Sequence, residues 1–555
     1  MAATGASLLP AFLTGCDNGG KFTPEGSFGF HEGVASFDPT QQRVILWTRY
    51  TPASNERNPV VLLDVSTDQN FSNVLVSQTV EIDTSSDYTV HVDVGNLTSN
   101  TRYYYRFRNQ ATGATSVIGQ TRTLPATGEA PEVKLAVVSC SNYQRGLFNV
   151  YGAVAESDAD VVVHLGDYIY EYEVGGYGTN PLTTSLGRQH VPDKEVITLD
   201  DYRARYRQYR SDEQLQKAHQ LKPFICVWDD HEIANDAYKD GAQNHQPDEG
   251  DFAVRKANAL QVWHEYLPAR VTDNSRIYRN VDFGGILNLL MLDTRIIGRD
   301  KQLNYSNYFT QTGLNTPQFL ADWQNPSRTM LGAEQRTWLL NELTNSAARW
   351  QLLGSQVLMA KMFIPAELLP ITAQIASGNA TPAVFAQYNT LVSQLVGIKT
   401  RMIAGDSTLT DAEKTRVQRV LPYNLDAWDG YPVEREVIFN AAAGKKLIAL
   451  AGDTHNAWYS KLTNVSGNRV GVEFATPAVS SDGLEAIFGT NPQTLNAFEQ
   501  SNQLLIDDLE YVNASKRGFL IVTCNNSTAN AEWRYINTLA TKDTSTTTGY
   551  NTTEA

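Results

Sequence analysis

Four stretches of this 555-residue chain end an apolar run in a residue able to hold a cation or move a proton. Leu135-Ala136-Val137-Val138-Ser139 leads into Cys140, and Val161-Val162-Val163-His164-Leu165-Gly166 into Asp167. Phe224-Ile225-Cys226-Val227-Trp228 leads into Asp229-Asp230-His231-Glu232, and Leu447-Ile448-Ala449-Leu450-Ala451-Gly452 into Asp453-Thr454-His455. A carboxylate at a strand end is often only a turn former or a helix cap, and a buried Cys only a small apolar residue. The coincidence of four carries more. Asp167 and Tyr170 stand three residues apart in a turn that can aim a carboxylate and a phenol at one cation. Asp230 stands beside His231, and Asp453 and His455, two apart, share one side of an extended segment. Carboxylate, phenolate and imidazole together suit a hard, highly charged metal, and Tyr170 favours ferric iron.

Such residues need a frame that brings them together. Apolar runs without alternation read as strands buried on both faces, and ligands in such sheets gather beyond the strand C-terminal ends. Helical stretches separate them over 200–219, 252–266 and 332–343. The arginines of the first, Arg203, Arg205, Arg207 and Arg210, are expected on a solvated face. Residues 366–429, amphipathic but less periodic, are expected as an insertion over or beside the site. Upstream, 31–123 switches to a period of two with frequent turn residues, the pattern of a small β-sandwich. Leu97-Thr98-Ser99-Asn100-Thr101-Arg102-Tyr103 with Tyr105 is similar to the tyrosine corner of fibronectin-III-like modules. A linker follows over 123–131, which divides the chain into a domain over 28–125 and a larger one over 132–540. The Thr-rich stretch 541–555 is expected as a flexible tail.

Composition narrows the function. A net charge of −15 excludes a phosphate-backbone binder driven by overall basicity, so no stable nucleic-acid partner is expected. Twenty-six Tyr and nine Trp exclude a disordered chain, and four Cys in this length are no disulfide framework. No apolar run approaches the roughly 20 residues of a membrane span. Residues 2–16 end in Leu13-Thr14-Gly15-Cys16, which resembles the end of a bacterial lipoprotein signal whose cysteine is lipidated. The other reading is a trimmed secretory segment with a chance cysteine. Both place the protein outside the cytoplasm, in the periplasm or on the outer surface, the first with membrane anchoring through a lipid on Cys16. With no basic residue ahead of the apolar stretch, Met1 reads as a start inside a longer leader and 1–20 as its remnant.

Taken together, the motifs around Cys140-Ser141-Asn142, Gly166-Asp167-Tyr168-Ile169-Tyr170, Trp228-Asp229-Asp230-His231-Glu232 and Gly452-Asp453-Thr454-His455-Asn456-Ala457-Trp458 resemble the PhoD-type alkaline phosphatase/phosphodiesterase family, within the calcineurin-like, purple-acid-phosphatase-like metallophosphoesterases. The stretch from Gly33 to Arg49 is similar to that family's N-terminal motif, with Phe37 where glycine is expected, and the likeness runs from about His31 to Ile536. The resemblance implies an α/β/β/α metallophosphoesterase sandwich preceded by a fibronectin-III-like β-sandwich. It implies Fe(3+) held by Cys140, Asp167, Tyr170 and His455. Asp167 would bridge to a second site completed by Asp230 and Asp453, with Asp236 a further oxygen ligand, and all-oxygen ligation there suits Ca(2+). Asp167 and His231 would be catalytic, His231 as a donor to phosphoryl oxygen, while Asn142, Arg145 and His231 would touch the substrate phosphate. The implied activity is an extracytoplasmic, metal-dependent alkaline phosphatase that cleaves phosphate monoesters and diesters by attack of metal-bound hydroxide. No GxSxG elbow or P-loop pattern offers a different chemistry. Two alternatives stand beside it: an enzyme acting mainly on lipid, teichoic acid or nucleotide diesters, and a non-catalytic surface lipoprotein with a structural metal.

Overall fold

The computed structural model describes residues 28–311, 313–376 and 381–555; Cys16 and the leader remnant 1–20 lie outside them. Two large sheets carry the four apolar runs. A nine-stranded sheet takes the order Thr546–Glu554, Ala529–Ile536, Gly518–Asn525, Glu132–Val138, Val161–His164, Pro223–Cys226, Val34–Phe37, Val44–Arg49, Thr89–Val94. The three strands leading to Cys140, Asp167 and Asp230 are neighbours there and run parallel, so their C-terminal ends emerge side by side. The fourth, Lys446–Ala451, lies in the middle of a seven-stranded sheet between Trp350–Gly354 and Arg469–Ala475, parallel to both. A bridge from Ser139 to Ala478 joins the sheets at the rim.

The absence of alternation in these runs has a direct cause. In the Leu447–Ala451 run, Ile448 and Leu450 face the core between the sheets, while Leu447, Ala449 and Ala451 face the helices outside. Both faces are dry, so both parities are apolar. Helix Phe252–Tyr266, capped by the Asp251 carboxylate, and helix Gly332–Asn345 fall where the periodicity places them. The stretch 200–219 becomes two helices, Leu199–Arg210 and Glu213–Leu221, because Asp212 caps the second at the N–H groups of Gln214 and Leu215. Helices Leu369–Ala376, Pro382–Ile403 and Asp411–Gln418 make up most of the insertion.

Two expectations are corrected. The arginine-rich helix is not a solvated face: Arg205 and Arg210 are fully buried. Arg205 donates to the carbonyls of Tyr170, Val191 and Pro192, and the Arg210 guanidinium lies 4.3 Å from the centre of the Trp47 ring. Main-chain carbonyls and an aromatic face replace water around these planar cations. The stretch 541–555 is not a flexible tail, since Thr546–Glu554 is an edge strand paired along its length with Ala529–Ile536, and Tyr550 stacks on Tyr511 at 4.3 Å. Threonine is polar yet β-branched, and an edge strand tolerates polarity on its outer side. The units 28–125 and 132–540 share a sheet. Val34–Phe37 pairs in parallel with Pro223–Cys226, so one sheet of the N-terminal sandwich continues the nine-stranded sheet. Val34, Val44 and Leu46 face the four-stranded sheet of Val74–Glu81, Val60–Ser66, Arg102–Arg108 and Gly119–Arg122, while Ala35, Ile45 and Trp47 face the main core.

Candidate metal centre

Each ligand-type residue sits just past its strand, and several are held in a backbone conformation that side chains avoid. Cys140, Asp167, Asp236, Asp453 and His455 have φ of 62°, 54°, 54°, 63° and 64°. Left-handed backbone costs a non-glycine residue about 1–2 kcal/mol, and among the described residues beyond Asn100 these five are the non-glycine residues that adopt it, a clustering expected of a functional site. Gly166 makes the crowding there feasible: at φ 101°, a Cβ would lie 2.4 Å from the Asp229 nitrogen. The Asp167 and Asp229 turns can meet only over a bare α-carbon.

The side chains form three overlapping sets, in each of which one ligand atom per residue lies within 4.8 Å of the others: Cys140, Asp167 and His455; Asp167, Asp230 and His231; Asp229, Asp230 and Asp453. Asp167 belongs to two of them and so joins the side of Cys140 and His455 to that of Asp230. The Tyr170 hydroxyl joins the first set, 3.0 Å from Asp167 Oδ2 and 3.2 Å from His455 Nε2, and accepts from Ser481 Oγ at 2.7 Å. His455 Nδ1 lies 2.6 Å from the Asp482 carbonyl, which fixes the proton on Nδ1 and leaves Nε2 as the donor atom facing the set. His231 Nδ1 is 2.8 Å from Glu171 Oε2, which leaves its Nε2 for the site. Glu232 accepts from the N–H groups of Asp167, Tyr168 and Asp229 and so ties two of the ligand turns together.

Three residues predicted for the site are not in these sets. The Asp236 backbone N–H donates to Asp230 Oδ2 at 2.6 Å, while its carboxylate joins none of them. Asn142 uses Oδ1 to cap the Gln144 N–H at 3.1 Å, and its Nδ2 is buried without a partner. Arg145 forms an ion pair with Asp482 and thus stands behind His455. The sequence reading missed Arg295. Fully buried, it reaches Asp229 at 2.5 Å, Asp453 at 2.6 Å and Asp426 at 2.8 Å. The run Leu287–Met291 continues into Leu292-Asp293-Thr294-Arg295, another apolar strand ending in polar residues, and that form was the available signal.

Burial dominates the electrostatics. It pushes the Asp167 and Asp453 carboxyls well above the usual range and Asp229 up to about 6, and neighbouring carboxylates add to each shift. Burial, with Asp167 nearby, also raises Cys140 and Tyr170. Asp230 is held at about 2 against its burial by Arg295 and His231. One oxygen of Asp167 and one of Asp229 are buried with no hydrogen-bond partner. Carboxylate oxygens without donors, beside a thiol, a phenol and an imidazole nitrogen, are a donor set that fits metal ions.

The family model of PhoD-like phosphatases matches residues 135–533, and that of the PhoD-like phosphatase N-terminal domain matches 19–125. Alkaline phosphatase D of Bacillus subtilis (strain 168) is 32% identical over 482 residues, 82% of this chain and 70% of that protein. The solved structure of PhoD superposes with a TM-score of 0.73 at 28% identity, covering 96% of this chain and 91% of that one. Purple acid phosphatase PPD1 from seeds of yellow lupin, Lupinus luteus, is similar in fold, with a TM-score of 0.50 at 10% identity over 94% of this chain and 73% of that one.

Proposed function

This chain belongs to the PhoD-like phosphatase family and is a phosphoric ester hydrolase, and from that premise we propose that it is a metal-dependent alkaline phosphatase of phosphate monoesters and diesters acting outside the cytoplasm. The observation that carries the metal dependence is the place of Asp167 between Cys140 and His455 on one side and Asp230 on the other, with one of its own buried carboxylate oxygens left without a donor. Iron suits the set of Cys140, Asp167, Tyr170 and His455, where sulfur, phenol and imidazole meet one carboxylate. Calcium suits the oxygen-rich side of Asp167, Asp229, Asp230 and Asp453. Metal ions held by these residues would supply Lewis-acid charge for the oxygens of the ester and would lower the pKa of water.

The chain supplies position and protons. Asp167 holds both cation positions in register. Asp482 orients the His455 ring, and Arg145 holds Asp482. Arg295 fixes Asp229 and Asp453 against each other. His231, with Nδ1 committed to Glu171, presents Nε2–H to a phosphoryl or leaving oxygen. The extracytoplasmic setting, with membrane anchoring through Cys16, rests on residues 2–16 alone.

The test is the purified protein's metal content and colour. About one iron per chain with calcium, and visible absorption from Tyr170 phenolate that disappears in Tyr170→Phe, are expected. A colourless, fully active protein containing only zinc would overturn the iron assignment. His231→Ala should lower turnover about 100-fold with metal content intact. The loss should be larger for an alkyl phosphate, which needs the proton, than for nitrophenyl phosphate; loss of metal would make His231 a ligand.

A further inference from the structure

A cavity of about 380 Å³ opens beside the centre. Asp453 and Thr454 line it, and the helices Leu369–Ala376, Pro382–Ile403 and Pro492–Leu505 contribute to its walls. Its size falls in the range of pockets that enclose small organic ligands. The walls are apolar, among them Leu358, Met362, Leu368, Tyr388, Trp458 and Phe488. Of the residues that line it, Asp453 alone is charged, and none is Lys or Arg. The Asp453 side chain keeps 19% of its surface exposed, against 1% for Asp229, so this carboxylate of the centre faces open space. One motif links the centre and the cavity: His455 and Asp453 belong to the ligand sets, and three residues on Trp458 forms wall, its indole N–H donating to Thr454 Oγ1 at 2.9 Å.

We propose that this cavity receives an uncharged, apolar substituent of the phosphate ester, alkyl or aryl, while the phosphorus sits at the centre. The inference rests on the phosphatase reading and names the substrate class of that site. A second phosphate in the cavity would find no cation there, and a sugar would give up hydration over walls in which apolar side chains outnumber the Asn, Ser and Thr groups, a cost apolar substituents do not carry. A buried methylene gains affinity by up to about fourfold. Of the arginines near the centre, Arg145 is occupied by Asp482 and Arg295 by Asp229, Asp426 and Asp453, so neither converts the cavity into an anion site.

The experiment compares kcat/KM of the metal-loaded protein for ethyl, butyl, hexyl, octyl and phenyl phosphate with that for glycerol phosphate and ribose 5-phosphate. We expect a rise of about two- to fourfold per methylene until the cavity is full, with phenyl above ethyl and both polar esters at or below ethyl. Val392→Trp, which fills the cavity, should lower the octyl-to-ethyl ratio by about tenfold or more; if it does not fold, Phe488→Ala should move the optimum to longer chains. A flat chain-length profile in an active enzyme, or a preference for the polar esters, overturns the inference and leaves the phosphatase reading standing. If no ester is hydrolysed the phosphatase reading fails, and calorimetry decides the cavity: octylphosphonate must bind more tightly than ethylphosphonate with a more negative heat-capacity change, and equal binding overturns it.

Discussion

Where the N-terminal strands meet the helices, Glu32, Arg49, Asp87 and Arg207 form a buried cluster in which the acids and bases are equal in number. Arg49 reaches Glu32 at 3.1 Å and Asp87 at 3.2 Å, and Arg207 reaches Asp87 at 2.6 Å, with the Tyr266 hydroxyl donating to the same carboxylate. At the metal centre the balance is gone. Asp229, Asp230 and Asp453 share Arg295, and Asp167 has no ion pair among the described residues. The titration of the two clusters diverges accordingly. Burial acts on both, yet Arg49 and Arg207 hold Asp87 below its ordinary range, whereas Asp167 and Asp453 are driven far above theirs. A balanced buried cluster holds elements together; a deficit of positive charge in a rigid, strained rim is a site prepared for cations.

The sharpest way to break this comparison is to remove one carboxylate from each side. Asp167→Asn should lower turnover by about a thousandfold or more and reduce metal content, since one residue serves two cation positions. The metal-free variant should be at least as stable as the metal-free parent, because an unpaired buried carboxyl has been made neutral. Asp87→Asn should do the reverse, costing about 3 kcal/mol in a urea titration with turnover within about twofold of the parent. If Asp167→Asn destabilised the metal-free protein by that amount, the two clusters would be of one kind. Metal removal separates them further: a chelator should lower the melting temperature of the parent, by the equivalent of about 2.7 kcal/mol from a hundredfold excess of metal over its Kd, and leave that of Asp167→Asn nearly unmoved.

Much of the rim was legible because each apolar run marks a strand buried on both faces and the ligand residue follows immediately, as in Val161–His164 before Asp167. Arg295 follows a run of the same form, but an arginine is no ligand, and its value appears only when three separate aspartates converge on it. Arg205 was misread since its partners are main-chain carbonyls, which carry no sequence signal, and Arg207 since Asp87 lies 120 residues away in sequence. The continuity of the sheet was written in Val44-Ile45-Leu46-Trp47, four apolar residues in succession where a sandwich facing water on one side would alternate.

A smaller effect concerns acid. His164 and His219 lie outside both clusters and are fully buried, His164 against Tyr151 at 2.7 Å and His219 stacked 3.9 Å from the Phe224 ring. Burial depresses both, His164 to about 3. A histidine depressed in the fold contributes stability that is complete above its unfolded pKa near 6.5 and is lost as pH falls below it, because the unfolded chain takes the proton first. Each should therefore remove up to about 1.4 kcal/mol per pH unit below 6.5. The difference in urea midpoint between the parent and His164→Gln, in which the raised carboxyls cancel, should be level from pH 8 to about 6.5 and then fall towards pH 5; a level difference throughout would mean that the His164 ring is not depressed in the fold.

The smallest effect tests whether the four-stranded sheet stands apart from the rim although its partner sheet does not. Tyr103, 2% exposed on the strand Arg102–Arg108, accepts a hydrogen bond from the Thr98 N–H at 2.8 Å and so closes the tyrosine corner. Tyr103→Phe keeps the ring in its apolar cluster and removes the hydroxyl. The cost should be modest for two reasons. Thr98 is exposed, so water can satisfy its N–H, and its carbonyl keeps the Thr123 hydroxyl as a donor at 2.6 Å. With no group left buried and unpaired, the loss should be the net worth of one hydrogen bond, about 1 kcal/mol, with kcat and metal content unchanged. A loss of 3 kcal/mol would mean that the corner also fixes Val44–Arg49, and a fall in kcat would carry that strain through the shared sheet to the ligand turns, joining the two regions that the charge comparison separates.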